Sequence, residues 1–198
     1  MGKVFIVPSR TDRWAKRLAT KLESTFGPTV VCDPAAAFAT PSTAIILLGH
    51  GGYAEDGQWS MGGAKRPTLN WRDVPADIPT SLMLFGTCNS REAAHDAHHN
   101  RMTAPATMTI HPQFEWGAGQ PEAVYAEPIE ALATQVANHA ASWTTAPDEL
   151  DLADMWREID ETARFDGWVL DTGFETLPIV YADPQRRRQR AAEARSHE

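Results

Sequence analysis

Cysteine is scarce in this sequence: Cys32 and Cys88 are the only two among 198 residues. Two cannot build the disulfide framework that staples small secreted domains, and both are expected to be thiols. Positive charge is also in deficit, with 18 Lys and Arg against 26 Asp and Glu and a formal net charge of −8. A general nucleic-acid binder needs the opposite sign to meet phosphates, so no nucleic-acid partner is expected. No apolar run is long enough to span a bilayer, which excludes a membrane-spanning helix from the reading. The first ten residues, MGKVFIVPSR, hold one lysine and a short apolar run but no small-residue cleavage site. They read as a first β-strand rather than an export signal, and the expected setting is cytoplasmic.

Against those absences stands a chain that is 42% hydrophobic and long enough for one domain with a sizeable core. Its apolar runs are short and lie between helical patterns. Residues 3–8, 29–32, 44–48, 81–85, 107–111 and 177–181 read as strands. Trp14, Leu18, Leu22 and Phe26 recur every fourth residue and predict a helix over 9–26, capped by Ser9 or Thr11. Further helices are predicted over 89–100, 121–143 and 147–165, with Pro128 either kinking its helix or marking the first turn. Residues 51–79 carry glycines, prolines, Trp59 and Trp71, and read as a long excursion holding a hairpin. A loop of that length inside a compact domain is usually functional or mobile. Strands alternating with helices predict an α/β domain around a mostly parallel sheet. A domain over 1–184 is expected, followed by a charged tail over 185–198.

Two of the strands end in chemistry. The run AIILLGHGG delivers His50 into a glycine-rich loop, and SLMLFGTCNS delivers Cys88 just before a helix start. In parallel sheets, ligands and reacting groups collect beyond the carboxyl ends of the strands. If the two strands are neighbours, both side chains share one site. A free thiol is only a few per cent thiolate at neutral pH, and a nearby imidazolium or a helix N-terminus favours the thiolate. The imidazole can also protonate a leaving amine. The N–H groups of Gly51 and Cys88 are the expected oxyanion donors.

A hydrophobic strand ending in His-Gly, followed some tens of residues later by one ending in Cys, resembles the layout of the caspase-like cysteine peptidases. IILLGHGG is similar to their histidine block and LMLFGTCNS to their cysteine block. The Cys-Asn-Ser triplet and the later AVYAEPIEALA look most like prokaryotic CHAT members. The resemblance implies a caspase-like three-layer sandwich with helices on both faces of the sheet. It implies an endopeptidase with a His50–Cys88 dyad and an acyl-enzyme, acting on a protein or peptide substrate without a cofactor. An activating partner protein and a setting in antiviral defence or programmed death are further implications. Caspases carry Gln-Ala before the cysteine where this chain has Gly86-Thr87, so aspartate specificity does not transfer. The alternative is an inactive caspase-like adaptor or protein-binding module.

Other residues bear on specificity. Arg10 follows the first strand, where the caspase layout has an arginine that holds a substrate aspartate. Asp56, Asp73 and Glu115 are candidates for a basic substrate side chain. His95 and His99, at helical i, i+4 spacing beside His98, have the geometry to chelate a metal, which would make a metal-dependent hydrolase a third reading. No further spaced Cys or His completes that site, and no metal is expected. Trp59, Trp71 and Trp116 either line a groove or pin the long loop.

Overall fold

The computed structural model describes residues 2–63, 66–113, 122–162 and 169–171. Its central sheet begins with β1 (Val4–Pro8), β2 (Thr29–Val31), β3 (Ser42–Leu48), β7 (Thr80–Gly86) and β8 (Met108–Gln113), all parallel. A short β9 (Val169–Asp171) adds antiparallel to β8, giving the order β2-β1-β3-β7-β8-β9. The predicted strand over 177–181 and the tail over 185–198 lie outside the described residues, and β9 was not read from the sequence.

The uninterrupted apolar runs of β1, β3 and β7 follow from their position, because a strand covered on both faces has no polar side to show. Alternate residues point to opposite faces. Val4, Ile6, Ala44, Ile46, Leu48, Leu82 and Leu84 meet α1 (Arg13–Thr25), α4 (Glu122–Ser142) and α5 (Glu149–Thr162) in one core. The stripe Trp14, Leu18 and Leu22 is the buried face of α1. Phe5, Val7, Ile45, Leu47, Met83 and Phe85 build the second core with α2 (Pro34–Ala39), α3 (Arg91–Asp96) and the excursion after β3. Each fully buried Leu, Ile or Phe contributes roughly 1.5–3 kcal/mol. The result is an α/β fold with a mostly parallel sheet covered on both faces.

The excursion is a small antiparallel sheet of β4 (Gly51–Tyr53), β5 (Trp59–Gly63) and β6 (Arg66–Asn70). Trp59 and Trp71 pack against each other and against Phe85, with ring centroids 5.6–5.9 Å apart. These two tryptophans pin the excursion to the main sheet; Trp116 lies outside the described residues.

Local chemistry sets the helix ends. Pro34 opens α2, and the Asp33 carboxylate accepts from the Ala36 N–H at 3.1 Å. The first helix starts later than its apolar spacing predicts, at Arg13, with Asp12 at the cap position in place of Ser9 or Thr11. Pro128 sits inside α4, two turns from its start. Among the described residues no helix is long and apolar enough to cross a membrane.

Candidate active site

The strands carrying the histidine and the cysteine are adjacent. β3 and β7 pair in parallel up to Leu48 opposite Gly86, and the Gly49 N–H donates to the Gly86 carbonyl at 3.2 Å. His50 and Cys88 each lie two residues beyond that last pair, at the carboxyl edge of the sheet. Neighbouring strands run about 4.8 Å apart, so the two loops emerge side by side.

His50 is half-exposed and set between contacts from the start of α1. Its backbone N–H donates to Asp12 Oδ2 at 2.9 Å. Its ring Nε2 stands 3.6 Å from Asp12 Oδ1, within ion-pair range. Trp14 meets the imidazole edge to face, centroids 6.4 Å apart. Gly49 makes this approach possible: its φ is +152°, and a Cβ there would overlap Ser9 and come within 2.9 Å of Asp12 Oδ2. Asp12 is 8% exposed and was not among the residues nominated from sequence. It occupies the N-cap position of α1 yet makes no capping hydrogen bond there among the described residues. An aspartate cap ordinarily contributes about 1 kcal/mol, which is forgone here while the carboxylate serves His50.

Cys88 is 3% exposed. The Gly51 N–H and its own backbone N–H, the two expected oxyanion donors, lie close enough to the sulfur to favour its thiolate. The Cys88 carbonyl accepts from Trp59 Nε1 at 3.0 Å, which ties the excursion to the loop after β7. Asn89 follows in the left-handed region, φ +52°, turning the chain into α3. Burial pushes the thiol up to about 12, with the Asp12 charge adding to the rise and the two N–H groups opposing it. Desolvation here outweighs what the surrounding N–H donors supply. Cys32, half-buried on the far side of β1, is pushed to about 11 by burial and by Asp33.

Both thiols are therefore expected to react slowly with iodoacetamide at pH 7. Rates should climb close to tenfold per pH unit between pH 8 and 10 as thiolate forms. Mass-spectrometric alkylation kinetics check this, and a Cys88 rate at pH 7 above that of free cysteine would contradict it.

The nominated specificity residues divide. Arg10 and Asp73 line one cleft of about 420 Å³ between α2 and β6, together with Asp33, Phe38 and Leu69. The Arg10 backbone N–H donates to Thr68 Oγ1 at 2.7 Å, fixing the first turn after β1 against β6. Asp56 is not in that cleft; its carboxylate is paired with Arg72 at 2.7 Å. Glu115 lies outside the described residues.

The histidine cluster sits on α3 and the π-helical turn Ala97–Arg101 that continues it. His95 and His99 rings are 4.4 Å apart, and His98 and His99 4.8 Å, between centroids. Among the described residues no three His, Cys, Asp or Glu side chains are arranged to hold a metal. The wide turn directs His98 inward to 9% exposure, and its Nδ1 has no hydrogen-bond partner among the described residues. Burial, then His99 and His95, hold its pKa down at about 4. As pH falls from about 6.5, the unfolded chain gains a proton that the folded chain refuses, so stability drops until about pH 4. Between pH 7 and 5 the loss should be roughly 1–2 kcal/mol. Urea denaturation of wild type and His98→Gln should show a smaller acid-side loss in the variant; equal losses would refute the assignment.

Comparison with protein-family models, curated proteins and solved structures yields no match. The function is therefore argued from the site itself.

Proposed function

We propose that this chain is a cysteine endopeptidase of the caspase-like kind, with Cys88 as nucleophile and His50 as general acid–base. The observation that carries the reading is that His50 and Cys88 leave adjacent parallel strands at the same edge of the sheet, with the Gly51 and Cys88 N–H groups near the Cys88 sulfur. With the thiol raised to about 12, the resting form is the neutral thiol. Proton transfer from sulfur to His50 then accompanies attack on the scissile carbonyl rather than preceding it. As sulfur bonds to carbon, the carbonyl oxygen takes up negative charge and accepts from Gly51 and Cys88 N–H. His50 returns the proton to the leaving amine, giving a thioester. A water deprotonated by His50 hydrolyses it and regenerates the thiol. The resemblance in the two sequence blocks extends the proposal to a protein substrate, an activating partner and a role in defence.

A second reading, a binding module on the same fold, draws on one observation: a nucleophile with 3% exposure is poorly placed to meet a substrate without rearrangement. A peptide library incubated with wild type and Cys88→Ala, together with a peptidyl acyloxymethyl ketone, separates the two. Cleavage by wild type alone and covalent labelling at Cys88 support the peptidase. No cleavage and no labelling of Cys88 overturn it in favour of the binding module.

A further inference from the structure

We infer that Asp12 is a positioning residue that holds the His50 imidazole in one tautomer and one orientation for the chemistry at Cys88. The inference rests on the peptidase reading for its kinetic consequence, but its structural content stands apart from it. Three observations converge. Both carboxylate oxygens of Asp12 address one residue, Oδ2 the His50 backbone N–H and Oδ1 the ring Nε2. The residue stands at the head of α1, where an aspartate ordinarily caps, and its carboxylate is turned to His50 instead. Gly49 adopts a positive φ at the point where a side chain would crowd that carboxylate.

A carboxylate can only accept. The ring nitrogen facing it must carry the hydrogen, so neutral His50 is the Nε2–H tautomer, and Nδ1 is the basic atom able to take a proton from a thiol. The 3.6 Å separation is longer than a hydrogen bond. A shift of about half an ångström closes it, as contacts of this kind tighten once substrate is bound. When His50 takes the Cys88 proton, the imidazolium forms against a buried negative charge that no helix cap competes for. Asp12 does not itself gain or lose a proton in the step. The same charge, which raises the resting thiol, becomes favourable once the proton has moved to the ring.

The test uses the full chain with Asp12→Asn and Asp12→Ala. Asparagine keeps an oxygen for the His50 backbone N–H but loses the charge, so it separates ring orientation from loop structure. Expected for both variants is a fall in kcat of about 10²-fold or more, with KM within about threefold of wild type. Long-range ¹H–¹⁵N spectra of His50 should show the Nε2–H tautomer in wild type and a mixture of tautomers in the variants. Wild-type kcat in Asp12→Asn would overturn the inference, as would a predominant Nδ1–H tautomer in the wild-type protein. If wild type and Cys88→Ala prove equally inactive, the peptidase reading fails and the spectra alone decide. A tautomer shift on substitution then supports Asp12 as the residue that orients His50, and an unchanged ring overturns it.

Discussion

Cys88→Ala is expected to bring peptide cleavage down by a factor of about 10⁴ or more, to the background of the assay, with little change in thermal stability. On the peptidase reading, loss of the sulfur removes the atom that forms the bond, and among the described residues the one other thiol, Cys32, lies across β1. His50→Ala should cost about 10²–10⁴, because a thiol raised to about 12 is roughly 10⁻⁵ thiolate at pH 7 and depends on a base at the moment of attack. The activity left in His50→Ala should rise with pH through the alkaline range, where bulk hydroxide supplies thiolate that the imidazole no longer provides. Steady-state rates from pH 6 to 10 on both variants measure this. An alkaline rise equal in wild type and His50→Ala would mean the histidine takes no part.

The two consecutive glycines after His50 should differ sharply on substitution. A Cβ at Gly51 would overlap the Cys88 carbonyl oxygen and approach Trp59 Nε1 to 2.9 Å, so backbone must move. Moving it breaks the Gly51 N–H contact to sulfur and strains the indole bond to the Cys88 carbonyl. Gly51→Ala should therefore lower kcat by about 10²–10³, the usual cost of losing an oxyanion donor, and destabilise the fold by about 1–3 kcal/mol. A Cβ at Gly52 meets nothing within 4 Å, and Gly52→Ala should stay within about twofold of wild type in rate. Parallel kinetics and denaturant melts of the pair check this. Equal effects at both positions would show that general loop flexibility, and not the close approach at Gly51, is what matters.

The strands were legible because burial on both faces leaves an unmistakable mark: AIILL and SLMLF have no polar alternation. The residues that end them, His50 and Cys88, were legible for the same reason. The order of the strands was not written in those runs, since parallel pairing is decided by helices packed elsewhere. Asp12 escaped notice because the apolar spacing put it inside a helix predicted over 9–26, with Ser9 or Thr11 as the cap. Only its diversion to His50 distinguishes it, and that depends on the Gly49 conformation, 37 residues away in the chain. The raised thiol was equally hidden. Sequence places a helix start and an imidazole nearby, both of which lower a thiol pKa, but it cannot count the atoms that exclude water from the sulfur. His98 was read only as a neighbour of the His95–His99 pair; the π-helical turn, which has no local signature, rotates it inward.

The bond from the Trp59 indole to the Cys88 carbonyl gives the protein an optical probe in its own chain. Indole emission responds to hydrogen bonding and to nearby quenchers, and this ring abuts both Phe85 and the peptide unit that carries the sulfur. Acylation at Cys88, or entry of any molecule between the excursion and the sheet, alters that environment without an added dye. A difference spectrum between wild type and Trp59→Phe isolates the signal from the other six tryptophans, so site occupancy can be followed in real time before a natural substrate is in hand.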